Sequence, residues 1–189
     1  MALENPKRKI HRIYYNSGSG SERIAEIIDI AKSQGIDTRG TKNRNFLNQF
    51  ACSTLHRGVC ADAQPLCPES GDKLVDDLIG ENDGDDETTE TGKLWLLLCS
   101  IGDPFNLGAI IRSAYFLGVE QIFLCSPYDS AQSSSPLTSV TSRTSAGILE
   151  IFMPKVIYHP ETFLEKLQKN GKQSTAPKCS CDNYLFIYF

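Results

Sequence analysis

No apolar run in this 189-residue chain approaches the ~18 residues of a membrane-crossing helix, so the sequence offers no candidate span of that kind. Its seven cysteines form no C-x-x-C pair, and its three histidines do not complete a zinc set at ordinary spacing. The segment "GSGS" (18–21) lacks both the Lys-Ser/Thr ending of a phosphate loop and the spacing of a dinucleotide fingerprint, and it reads as a flexible turn. No secretory h-region is present. The opening "MALENPKRKIHRIYYN" has four basic residues by Arg12 but also Glu4, and leads straight into a strand pattern, which makes a poor transit peptide.

What is present is a globular composition with 40% hydrophobic residues, enough for one ordinary domain or two small ones. The net charge of −4 disguises an uneven distribution. Residues 68–92 carry ten acids against one lysine, so the rest of the chain is net positive, and residues 1–67 hold ten Lys and Arg against six acids. A mildly basic head, an acidic spacer and a near-neutral remainder are the expected organisation.

Within the head, "KIHRIYYN" reads as a strand. "SGSGSERIAEIIDIAKSQG" is a turn and a helix, capped by Ser19 or Ser21, striped by Ile24, Ile27, Ile28 and Ala31, and stopped by Gly35. "NRNFLNQFACSTLHRG" is a second helix and "VCADAQPL" a strand ending at Pro65, giving a small α+β domain over about 8–67. Residues 68–92 read as a solvated linker.

The continuous apolar run "LWLLLC" implies a strand buried on both faces, hence a parallel sheet between helices. The next helix has Asn106 as its expected cap, a stripe of Leu107, Ile110, Ile111, Ala114 and Leu117, and a stop at Gly118. "QIFLC" is the following parallel strand, with Cys99 and Cys125 expected as buried thiols in a reducing compartment. A Ser/Thr-rich loop (126–145) runs into a helix near "TSVTSRTSAG"; "ILEIFMPKVIYH" is strand-like and "PETFLEKLQKNG" helical. Beyond Gly171 the chain is polar and proline-broken until "YLFIYF", leaving a sheet that looks unfinished unless that terminal run supplies the missing strand.

The turn "DPFN" (103–106) sits where α/β sheets bind ligands, at the carboxyl end of a buried strand. Asn106 can donate and accept hydrogen bonds there. Arg112, on the polar side of the following helix, can reach a phosphate bidentately. As ordinary cap and solvated cation, the two residues would carry no function.

In sequence, "DPFNLGAIIRSAYFLGVEQIFL" resembles the first motif of the SpoU (TrmH-like) RNA 2′-O-ribose methyltransferases. "VTSRTSAGILE" resembles their downstream Ser-Ala-Gly segment, and "HRGVCADAQPL" the strand closing their small RNA-binding domain. Three matches in order cover roughly residues 9–171, and the wording is similar to the mitochondrial large-subunit rRNA branch.

The resemblance implies an α/β fold: a small α+β RNA-binding domain, N-terminally incomplete, at 8–67, the acidic linker at 68–92, and the first part of a SPOUT-type trefoil-knot methyltransferase domain at 93–171. The knot-forming part is not evident, and residues 172–189 are a divergent tail. It further implies methyl transfer from S-adenosylmethionine to a ribose hydroxyl of ribosomal RNA, on a guanosine, in mitochondria, by a homodimer without metal. Arg112 and Asn106 match catalytic positions, and His56, Arg57 and Gly58 fall where the small domain meets RNA. The family's two later motifs, which supply most of the cofactor pocket, do not occur. No cofactor-binding residue is therefore assigned, and the chain is expected to be inactive as it stands, either as a shortened isoform or as a non-catalytic RNA-binding module.

Overall fold

The computed structural model describes residues 2–51, 56–72, 94–125 and 137–169, with the backbone of 174–175 and 185–188. The chain divides into two units, Met1–Pro65 and Leu66–Phe189.

In the first unit, β1 (Ile10–Asn16) lies between β2 (Asp37–Thr41), parallel to it, and β3 (Val59–Ala63), antiparallel. Helix α1 (Glu22–Ser33) packs on β1 and β2, burying Ile24 and Ala31, and ends at Gly35 with φ +70°, a left-handed stop that favours glycine. Ser21 sits at its N-cap without a side-chain hydrogen bond. Helix α2 (Arg44–Phe50) covers the sheet beside β1 and β3, with Leu47 fully buried. It is shorter than the sequence suggests and is capped by Asn43, whose side chain accepts from the N–H groups of Asn45 and Phe46. Residues 52–55 of the expected helix lie outside the described residues. Strand β2, "DTRGT", escapes a hydrophobicity reading because it is a polar edge strand.

The second unit has a five-stranded sheet in the order β6-β5-β4-β8-β7. Strands β4 (Trp95–Leu98), β5 (Gln121–Cys125) and β6 (Lys155–Ile157) are parallel. Alternation along β4 feeds two cores. Trp95 and Leu97 pack with Phe123, Ile157, Phe163 and Leu167 on the side of α5 (Pro160–Lys169). Leu96 and Leu98 pack with Leu107, Ile111, Ala114 and Leu149 on the side of α3 (Pro104–Phe116). The terminal apolar run supplies β8 (Leu185–Tyr188), antiparallel to β4, and β7 (Ser174–Thr175) pairs with it. The sheet thus gains the strand that the sequence left open.

Three readings need correction. Only Lys155–Ile157 of "ILEIFMPKVIYH" is strand. Gly147, at φ +86°, leads into a 3-10 turn at Ile148–Glu150, and Pro154 has no N–H for a ladder. The spacer is anchored at its start: Val156 N–H donates to the Glu69 carbonyl and Gly71 N–H to that of Val156. A Cβ on Gly71 would lie 2.8 Å from Ile157 Cδ1 and 2.9 Å from Phe123 Cδ1, so a larger residue there would require these core side chains to shift. Residues 73–93 lie outside the described residues. Finally, Cys99 and Cys125 are disulfide-bonded rather than free thiols. The β4–β5 register that pairs Leu98 with Leu124 carries both cysteines to the same level one residue further on, with Cα atoms 4.8 Å apart.

Candidate functional site

At the carboxyl end of β4 the chain turns through Ser100, at φ +59°, and enters α3. The helix begins earlier than expected. Asp103, extended as the residue before a proline should be, is the N-cap, and its carboxylate accepts from Phe105 N–H at 3.1 Å and Asn106 N–H at 3.3 Å. Pro104 occupies the first helical position, where its missing N–H costs nothing. Asn106 is therefore not the cap. Its side chain is released from that duty and lines an open cavity of about 510 Å³ with Ser100, Ile101, Gly102, Asp103, Ala109 and Ile110.

Arg112 is exposed on α3, about 120° around the helix from Asn106, and does not line this cavity. Among the described residues it has no ion-pair or hydrogen-bond partner, so its guanidinium is available to a polyanion.

The Ser-Ala-Gly segment proves to be a buttress. Helix α4 (Ser139–Thr144) is capped by Thr138, and Thr141 and Ser145 are fully buried. Ser145 Oγ donates to the Ser142 carbonyl at 2.8 Å and accepts from Leu149 N–H at 3.3 Å. Gly108 of α3 rests directly on this layer. A Cβ there would stand 2.7 Å from both the Thr141 carbonyl oxygen and Thr144 Cβ. Gly108, two residues after Asn106 in the quoted motif, is thus a packing position that holds α3 against this layer.

In the first unit, His56, Arg57 and Gly58 form the turn entering β3. The His56 ring is committed to that turn. Nδ1 accepts from Gly58 N–H at 2.9 Å, which leaves Nε2 to donate to Asn48 Oδ1 at 2.8 Å. Gly58 has φ +87° and packs against Ile24. Arg57, with φ +49°, is the exposed member of the three. The structure thus separates one presented cation from two residues that shape the loop. A second depression of about 430 Å³ surrounds the "GSGS" turn, and Glu22 on its lining is the wrong charge for a phosphate. No group of three metal-ligating side chains occurs among the described residues, and no described helix is long and apolar enough to cross a membrane.

A ligand cavity at the carboxyl edge of a parallel α/β sheet, joined to a separate basic α+β unit, defines the class. Two family models lie end to end along the chain: RNA 2′-O ribose methyltransferase substrate binding over residues 1–68, and the SpoU rRNA Methylase family over residues 93–184. The chain belongs to the SpoU rRNA methylase family. It is 32% identical over 157 residues to human rRNA methyltransferase 1, mitochondrial, covering 80% of this chain and 39% of that protein. It is 26% identical over 169 residues to the 23S rRNA (guanosine-2′-O-)-methyltransferase RlmB of Pseudomonas putida, covering 89% and 62%. Among solved structures, the AdoMet-bound rRNA methyltransferase from Sinorhizobium meliloti shares the fold at TM-score 0.56 and 19% identity, covering 90% of this chain and 54% of that one. The chain spans between 31% and 59% of the length of four mitochondrial relatives it matches.

S-adenosylmethionine is the cofactor of this family. Among the described residues, those lining the cavity all come from the continuous segment 100–110. These residues do not make a cofactor cradle.

Proposed function

We propose that this chain acts in 2′-O-ribose methylation of large-subunit ribosomal RNA in mitochondria, on a guanosine, with S-adenosylmethionine as methyl donor. The observation that carries the reading is the Asp103-capped turn, which leaves Asn106 free on the wall of an open cavity at the sheet's carboxyl edge. A ribose hydroxyl is a weak acid; as its oxygen bonds the methyl group, its proton would pass to solvent water and the sulfonium–methyl bond would break to leave a neutral thioether. Asn106, as donor and acceptor, orients the ribose; Arg112, which lies outside the cavity lining, holds the neighbouring phosphate and through it offsets the charge that develops on the ribose oxygen. A guanidinium keeps its proton and is a poor base, so electrostatic support is its cheaper role. The first unit grips RNA through Arg57 and its basic surface. The exposed Phe116 and Leu117 at the end of α3 offer apolar surface for pairing two copies.

A second reading is RNA binding without methyl transfer by this chain, since the described residues lining the cavity all come from the one segment 100–110. One assay separates the two. Large-subunit rRNA transcript is incubated with the chain and methyl-labelled S-adenosylmethionine, then hydrolysed in alkali, which cannot cut beside a 2′-O-methyl ribose. Label in an alkali-stable dinucleotide, reduced about 10²–10³-fold by Arg112→Ala, supports methylation. RNA bound but unlabelled supports the second reading, and label on a base contradicts the site assignment.

A further inference from the structure

Helix α2 presents an aromatic cluster that its packing does not require. Leu47 is the helix's one fully buried side chain, and Cys60 Sγ approaches its carbonyl at 3.8 Å. Phe46 and Phe50, one turn apart, remain 39% and 37% exposed. Both converge on Tyr14 of β1, with ring centroids at 5.3 and 4.6 Å, and they lie 6.3 Å from each other at an interplanar angle of 18°. Isolated exposed aromatics need no explanation, but three converging rings form a patch.

The rim of this patch is cationic. The Arg12 guanidinium carbon lies 6.0 Å from the Tyr14 centroid, and Arg12 Nη1 donates to the Tyr14 hydroxyl at 3.3 Å. Arg39, the register partner of Tyr14 on β2, shares the Asp37 carboxylate with Arg12. At this edge two guanidinium groups, Arg12 and Arg39, share the one carboxylate of Asp37, so positive charge is in excess there.

We propose that Tyr14, Phe46 and Phe50 form a stacking platform for unpaired RNA bases, with Arg12 and Arg39 on the flanking phosphates. The proposal rests on the RNA reading above and adds a contact surface to the His56–Gly58 turn. Protein-docking patches deplete charge at their centre. Rings edged by guanidinium groups, with net positive charge, instead match a single strand whose bases stack and whose backbone repels acids.

The test uses the full chain and a fluorescein-labelled single-stranded oligoribonucleotide of about 12 nucleotides, within the usual site size for such surfaces. Phe46→Leu keeps apolar volume and removes the π face. It should weaken binding roughly 5- to 150-fold while leaving the circular-dichroism melting midpoint in place. Arg39→Gln should reduce the log–log salt slope by about one. As a readout independent of stability, photocrosslinking with 5-iodouridine should place adducts on Tyr14, Phe46 or Phe50. Wild-type affinity in Phe46→Leu, or adducts confined to other segments, would overturn the platform while leaving RNA binding intact. A wild-type chain that binds no oligonucleotide overturns both readings, and a Phe46→Leu change that alters only self-association overturns the platform in favour of a protein interface.

Discussion

Asp37 sits between two guanidinium groups, 2.6 Å from Arg12 Nε and 3.3 Å from Arg39 Nε, and the Arg12 hydrogen bond holds its carboxyl below the ordinary carboxylate value. A carboxyl depressed on folding contributes stability above its unfolded pKa and loses it as pH falls through the lower folded one. The melting-temperature difference between wild type and Asp37→Asn should therefore be constant at neutral pH and shrink only below the usual carboxylate range. A difference that instead disappears between neutrality and that range would show that the pair does not hold. The group is exposed, so the effect is small and salt-sensitive. Its larger consequence is positional, because it fixes Arg12 and Arg39 beside the Tyr14 ring.

Among the elements, α3 decides the site. It is pinned at its start by Asp103 and along its length by Gly108 on α4. Gly108→Ala would drive a methyl group into the Thr141 carbonyl and Thr144, neither of which is the free end of a flexible side chain. The expected cost is ~1–3 kcal/mol in a urea melt, and Asn106 would be displaced with the helix. An unchanged melt would mean that α3 and α4 do not meet as closely as described.

Much of this element was legible in the sequence. The apolar run before it and the stripe along it fixed a strand and helix, because burial on both faces and the 3.6-residue period are strong signals. Its cap is ambiguous in the sequence because Asp and Asn cap equally well; Pro104 at the first helical position is what selects Asp103. Strand β2 was invisible because an edge strand of Asp, Thr, Arg and Gly shows no alternation. The Cys99–Cys125 bond needed the inter-strand register, which no local pattern carries. Nor could spacing reveal the Phe46, Phe50 and Tyr14 cluster, since a helix and a strand must fold together to create it.

At the scale of the whole molecule, charge and division agree. The unit with the basic excess, Met1–Pro65, matches a substrate-binding domain, and the sheet-bearing unit matches the methylase family. Both readings of the function require the chain to hold RNA through several phosphates at once. The most direct measurement is the anisotropy of a labelled large-subunit rRNA fragment titrated with the full chain between about 50 and 200 mM salt. Saturable binding is expected, with log affinity falling against log salt at a slope of about −3 to −5, as four to seven phosphate contacts on flexible RNA would give. No saturable binding at the lowest salt, or an affinity indifferent to salt, would contradict the account.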